Sequence, residues 1–245
     1  MVNKLVLGTM RLHEVTLDVS FWVQFFCEAH SLGVRKLHSS SEYESYPLLK
    51  EALSFLKKKH PHVEFEHIVK LAEPSFGDVG FEVGRLTKKV NDYLSDLQTA
   101  HLSVVQWMWR LNLNEDQIRI RDFIAACPCL AKEVEDLKLQ NKIKQFMCFP
   151  YSVPFANSAI RIECIDGLVV YRNVIETEYD KSIELAAKLG KKSYILRPLA
   201  AGEALKNTNK TARELFEWAL SHQGIEGAII SISKLEHIRD FASNS

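Results

Sequence analysis

Short apolar runs alternate along this chain with longer stretches in which apolar residues recur every three or four positions. The short runs predict eight strands, at residues 5–7, 36–38, 67–70, 102–107, 145–148, 167–171, 193–196 and 227–231. The longer stretches predict helices. Residues 18–31 place Val19, Trp22, Val23 and Phe26 on one face, and Leu32 with Gly33 supplies a stop. Residues 46–59 align Leu49, Leu53 and Leu56. Residues 80–97 carry Phe81, Val83, Leu86, Val90, Tyr93 and Leu97. Residues 114–139 contain Pro128, so they read as two helices or one kinked helix. Residues 179–189, 211–222 and 234–244 complete the set.

Strands separated by helices form a parallel sheet with crossover helices. Eight of them in 245 residues predict an α/β fold, a closed (β/α)8 TIM barrel, as one domain over residues 1–245. No internal repeat or linker-like tract interrupts the pattern. Sites on this fold lie at the C-terminal ends of the strands. His38, Tyr43, Lys70, Met108, Phe149 and Arg197 all fall at such ends or in the loops after them. Of Trp107 and Trp109, one is expected to face the core and the other the barrel mouth.

Composition narrows the function classes. Lysine plus arginine equals aspartate plus glutamate at 31 each, so net charge gives no pull toward nucleic acid or an anionic membrane. The cluster Lys57, Lys58 and Lys59 suits a helix C-terminus, where cations complement the dipole. No leader-peptide pattern and no 18-residue apolar window are expected to act as targeting or spanning segments. The five scattered cysteines predict reduced thiols and a cytoplasmic location. Cys127 and Cys129 lack the second pair or nearby histidines that a metal site needs, so no metal is expected.

Several segments stand in a collinear order: residues 33–43, GVRKLHSSSEY, at the second strand and the loop that follows, 67–70, HIVK, at the third, and 102–109, LSVVQWMW, at the fourth. Residues 4–12 (KLVLGTMRL), 48–53 (LLKEAL), 141–144 (NKIK), 197–202 (RPLAAG) and 231–239 (SISKLEHIR) extend the series over nearly the whole chain. In this order the segments resemble the aldo-keto reductase superfamily. The resemblance implies a catalytic tyrosine at Tyr43 and a lysine at Lys70. It puts His38 where the family has an aspartate and Met108 where it has a histidine. In the family the lysine ammonium lowers the tyrosine pKa so that the phenol can protonate a carbonyl as hydride arrives from NADPH. Met108, a thioether, cannot polarise a carbonyl.

The resemblance also implies NADP as the cofactor, with Thr9, Met10, Arg197, Leu199, Ser231, Ser233, Lys234 and Arg239 as candidate contacts. Its nicotinamide end is altered. Phe149 and Pro150 stand where the family has side chains that bind the carboxamide, and Val169 stands where it has a glutamine. Asn173 lies where the family's asparagine often does, and Arg197 where an aromatic ring stacks. Ser231, Ser233 and Lys234 precede a helix whose N-terminal amides favour an anion. The resemblance further implies a short form lacking the N-terminal hairpin and the C-terminal lid, with an open mouth. Three functions are compatible with this pattern. One is a divergent member with eroded catalytic and nicotinamide sites, which binds a small molecule or nucleotide or runs altered chemistry at Tyr43 and Lys70. The second is an NADPH-dependent carbonyl oxidoreductase. The third is a non-catalytic protein-partner subunit, as the modifier subunit of glutamate–cysteine ligase resembles this family without reducing anything.

Overall fold

A computed structural model describes residues 1–242. Eight strands close into one barrel in chain order: β1 (Leu5–Gly8), β2 (Lys36–Ser39), β3 (Glu66–Ala72), β4 (Leu102–Met108), β5 (Ile143–Cys148), β6 (Gly167–Tyr171), β7 (Lys192–Leu196) and β8 (Ile225–Ser231). All neighbours are parallel, and β8 closes on β1 in the register Leu5 to Ala228. All eight predicted strands are present. The helices α1 (Val19–Ser31), α2 (Tyr46–Lys59), α3 (Arg85–Asp96), α4 (Asp116–Leu139), α5 (Val153–Ala159), α6 (Asp180–Lys188), α7 (Glu203–Asn207), α8 (Ala212–Ala219) and α9 (Leu235–Ala242) wrap the outside. The predicted last helix ran to residue 244; its final two positions lie outside the described residues. Among the described residues, no helix is long and apolar enough to cross a membrane.

Alternation along each strand sorts side chains into two cores. Val6, Ile68, Val104, Met147, Val169, Tyr194 and Ile229 fill the barrel interior. Val105, Trp107, Phe146, Leu168 and Ile195 point outward into the layer beneath the helices. Gly167 and Gly227 permit close strand approach: a Cβ on Gly167 would lie 2.0 Å from the Lys192 carbonyl oxygen, and one on Gly227 2.6 Å from that of Lys4.

Two expectations need correction. Trp107 and Trp109 do not divide between core and mouth; both lie in the outer core, 6.2 Å apart and both against Phe123. Residues two apart face the same side of a strand, and these two continue the outward face of β4. Helix α3 starts at Arg85 rather than at residue 80, because Gly84 is left-handed at φ 89° and breaks the helical path; Val83 is left exposed. Of the two readings of residues 114–139, the single helix holds: Pro128 lies within α4, where Phe123 before it and Leu130, Val134 and Leu137 after it are all buried and anchor both halves. The sequence pattern also missed α5 and α7, which are too short to show a clear period.

Candidate active site at the barrel mouth

At the C-terminal end of the barrel the strands open into a cavity of about 520 Å³. Its wall includes His38 from β2, Tyr43 from the following loop, Lys70 from β3, and Gln106 and Met108 from β4. The four positions predicted from the β2–β4 motifs therefore share one cavity. They converge because inward-facing residues near strand ends point to the mouth.

His38 is buried, and its Nε2 lies 2.9 Å from Gln106 Oε1. With the amide oxygen accepting, the ring proton sits on Nε2. Burial pushes the imidazole down to about 4; the Gln106 bond opposes this and the Lys70 charge adds to it. His38 is therefore neutral at pH 7. Lys70 does not bond it. The Lys70 ammonium donates to Glu42 Oε2 at 3.0 Å and lies 5.5 Å from the centre of the Tyr43 ring. No hydrogen bond among the described residues joins it to the Tyr43 hydroxyl. Burial, then the nearby Tyr93 and Glu42, push the Tyr43 phenol above its ordinary value. That is the opposite of what proton donation at neutral pH requires.

Glu42 is the hub of this side. Arg110 grips the same carboxylate with both terminal nitrogens, Nη2 reaching Oε2 at 2.8 Å and Nη1 bonding Oε1. Burial would raise the Glu42 carboxyl, but the hydrogen bonds from Arg110 and Lys70 outweigh it and hold the group at about 2. The loop is pinned from behind. Tyr93 on α3 accepts from the Ser41 amide at 2.7 Å and donates to the Lys70 carbonyl at 2.8 Å. Ser45 donates to the Thr9 carbonyl at 2.7 Å.

The facing wall is aromatic. Phe149, after β5, meets Tyr151 and Tyr171 edge to face, with ring centres 4.7 and 5.4 Å away. Met108 is buried against Phe149, and its sulfur accepts from the Tyr151 hydroxyl at 3.3 Å. The Tyr151 hydroxyl in turn accepts from Arg110 Nε at 2.9 Å. Behind them Arg119, fully buried on α4, donates to the Trp109 and Pro150 carbonyls at 2.9 and 2.7 Å and ties the ends of β4 and β5 together.

The predicted cofactor contacts divide. Met10, Arg197, Leu199 and Ser231 line the cavity. Thr9 does not; it is buried, and its hydroxyl donates to the His38 carbonyl at 3.0 Å. Ser233, Lys234 and Arg239 lie outside the cavity wall. Lys234 is 3.7 Å from Glu236, and Arg239 is 4.0 Å from Glu28 on α1. Arg197 lies over the Tyr171 ring at 5.1 Å and pairs with Glu176 at 3.0 Å.

The carboxamide of a nicotinamide finds little here. Phe149 and Pro150 carry no polar side-chain atom, and Val169 is in the barrel interior. Asn173 is already used: its amide nitrogen donates to Glu176 and to the Arg197 carbonyl at 2.6 and 3.0 Å, and its oxygen accepts from the Ile175 and Glu176 amides. These residues do not fit a nicotinamide carboxamide. Among the described residues no group of three histidine, cysteine or acidic side chains could hold a metal.

Sequence reasoning missed Glu42, Gln106, Arg110, Tyr151 and Tyr171. Gln106 could have been found, since it lies two positions before Met108 on the same inward face. The pairing of Glu42 with Arg110 spans 68 positions and leaves no local pattern.

No protein-family sequence model and no curated protein matches this chain. Solved structures do share its shape. A protein of Pseudomonas aeruginosa assigned as an aldo-keto reductase superposes with a TM-score of 0.75 at 21% identity, over 98% of this chain and 88% of that one. An aldo-keto reductase of Klebsiella pneumoniae, solved with NADP and acetate, gives a TM-score of 0.73 at 14% identity, covering 98% and 84%. The holo form of an aldo-keto reductase of Bacillus halodurans gives 0.71 at 14%, covering 98% and 85%. At these identities the likeness establishes the fold.

Proposed function

Starting from the aldo-keto reductase fold, we propose that this protein is a divergent aldo-keto-reductase-like member that binds a small organic molecule or nucleotide in the barrel mouth and reduces carbonyls slowly or not at all. One observation carries the reading: the Lys70 ammonium is bonded to Glu42 and not to the Tyr43 hydroxyl. A phenol of ordinary pKa near 10 needs a bonded cation to release its proton readily near neutrality. Tyr43 lacks that bond and is shifted the other way by burial. Met108 adds no donor beside it.

The cavity supports binding. It runs from His38 and Tyr43 to the turn after β7 and the end of β8, at Leu199, Gly202 and Ser231. The NADP held by the Klebsiella pneumoniae structure supports a nucleotide as one candidate ligand. The nicotinamide contacts argue against productive hydride delivery from that cofactor. The five free cysteines suit a reducing, cytoplasmic setting.

Titration with NADPH, followed by its fluorescence, together with an assay on a simple aldehyde, tests the reading. The expected result is weak or no enhancement of emission and little turnover. Tight binding with turnover at an ordinary enzymatic rate would put the carbonyl oxidoreductase in first place.

A further inference from the structure

We propose that a cleft at the N-terminal end of the barrel binds a small uncharged aromatic molecule through a hydroxyl that hydrogen-bonds His67. The site lies at the opposite end of the strands from the mouth and is independent of the function proposed there.

The cleft has a volume of about 630 Å³. Small-molecule sites typically span about 300–1,000 Å³. One wall is the C-terminal end of α2 with the loop that leads into β3; the other is the turn from α3 into β4. Leu53, Leu56, Val63, Phe65 and Leu97 give it apolar surface. His67 also lines it and is only 5% exposed. Next to it on β3, Ile68 points into the barrel interior, while Val69 and Leu71 belong to the outer core. Alternation therefore sends the His67 side chain outward, beneath α2 and α3.

The imidazole is buried without being satisfied. Its Nδ1 has no hydrogen-bond partner. Ser103 on the adjoining strand spends its hydroxyl on the His67 carbonyl, at 2.8 Å. His38, also buried, is by contrast bonded to Gln106. Buried polar atoms are as a rule paired, so the lone Nδ1 beside an apolar cleft points to a ligand. An imidazole turns readily about its Cβ–Cγ bond, which lets Nδ1 meet a group entering from the cleft.

The lining sets the chemistry of that group. Burial, then the nearby His101, hold the His67 imidazole near 4, so it is neutral at pH 7. A neutral imidazole offers one N–H and one lone pair, and a hydroxyl can meet either. Two cations, Arg35 and Lys57, and two carboxylates, Glu64 and Glu66, line the cleft, so these charges cancel. Both cations already donate to main-chain carbonyls, Arg35 to Val34 at 2.9 Å and Lys57 to Gln98 at 2.7 Å. An uncharged ligand is therefore favoured over an ion. The Phe65 and His101 rings in the lining suit an aromatic body. Among the described residues, His67 and His101 lack the third ligand that a metal site needs.

The test is titration of the intact chain, labelled with nitrogen-15 in its histidine rings, with 4-cresol and with 4-xylene, in which a methyl replaces the hydroxyl. Through-bond assignment of His67 and His38 lets one spectrum report on both ends of the barrel. 4-Cresol is expected to move the His67 ring nitrogens and to bind at least about tenfold tighter than 4-xylene, the worth of one hydrogen bond. His67→Phe keeps the bulk and removes the nitrogens. Read at His101, it should bring the two compounds to near-equal affinity. If His67→Phe fails to fold, the native comparison decides alone. Equal affinity of the two compounds for the native protein, or no movement of His67 up to the solubility limit of 4-cresol, overturns the proposal. Movement of His38 alone places the compound in the mouth; it overturns this site and leaves the small-molecule reading of the mouth in place.

Discussion

Two tyrosine–lysine pairs stand in the same barrel, one at each end. In each, the ammonium lies 5.5 Å from the ring centre, Lys36 over Tyr194 and Lys70 over Tyr43. At the closed end Lys36 donates to the Tyr194 hydroxyl at 3.0 Å. At the mouth Lys70 is drawn instead to Glu42. Burial raises both phenols, yet the bonded Lys36 pulls Tyr194 back, whereas Glu42 adds to the rise at Tyr43. Proximity of the two residue types is therefore not enough. A carboxylate in the adjacent loop turns a candidate proton donor into an ordinary buried phenol. The pair with the reactive geometry lies outside the wall of the mouth cavity.

The sharpest way to break this contrast is to measure turnover. Reduction of a simple aldehyde with NADPH is expected to fall about 10²–10⁴-fold or more below an ordinary reductase, the usual cost of losing a positioned acid–base group. Tyr43→Phe should then change little, because the phenol is not acting as an acid. Combining His38→Asp with Met108→His should restore little, since the nicotinamide contacts stay wrong and a misplacement near 1 Å costs on the order of 10² by itself. Steady-state kinetics of the three proteins decide it; a large loss on Tyr43→Phe from a measurable native rate would mean that Tyr43 does protonate substrate.

The barrel and the positions of its mouth residues were legible in the sequence for a simple reason. Strand periodicity and strand ends are local properties, so His38, Tyr43, Lys70 and Met108 could be placed together from runs of a few residues. What those side chains do once together was not legible. The bond from Lys70 to Glu42 joins residues 28 apart, and the pair of Arg110 with Glu42 joins residues 68 apart. Neither has a periodic signature. The same limit hid the use of Asn173, which falls in the expected segment but spends its amide on Glu176, Ile175 and the Arg197 carbonyl.

Two buried histidines on neighbouring strands respond alike to acid, although only one has a partner. His38 at the mouth and His67 on β3 are both buried, and burial holds each near 4. His38 has Gln106 as a partner, while Nδ1 of His67 has none. In the unfolded chain each binds a proton below about pH 6.5; in the folded chain each resists until about 4. Stability from both is thus complete above pH 6.5 and is lost as pH falls toward 4, by roughly 3 kcal/mol each over that window. Urea unfolding at stepped pH checks this. Each single substitution, His38→Gln or His67→Gln, should reduce the pH slope between 6.5 and 4, and an unchanged slope would show that the replaced histidine titrates normally.

Breaking the closed pair should cost less. Lys36→Met leaves the Tyr194 hydroxyl without its partner in the barrel interior, a loss of about 1–3 kcal/mol. Adding Tyr194→Phe should recover part of this, because the stranded hydroxyl is then gone. Neither change should alter ligand binding at the mouth. A double-mutant cycle by urea unfolding reads the coupling directly, and additive losses would show that the bond contributes nothing.

The smallest effect is expected at the hub of the open end. Glu42→Gln removes the carboxylate that Lys70 and Arg110 share, but the Glu42 side chain is well exposed, and water screens and replaces much of what is lost. A change of about 0–1 kcal/mol in stability is expected. The substitution also removes one of the charges that raise the Tyr43 phenol. Glu42 raises Tyr93 as well, so spectrophotometric titration of the tyrosines should show these two phenols moving down in Glu42→Gln relative to the native protein. Tyr43→Phe in the same background separates the Tyr43 shift from that of Tyr93. If no phenol shifts, the carboxylate is not what sets the mouth pair apart from the closed pair, and burial alone accounts for the difference between Tyr43 and an active proton donor.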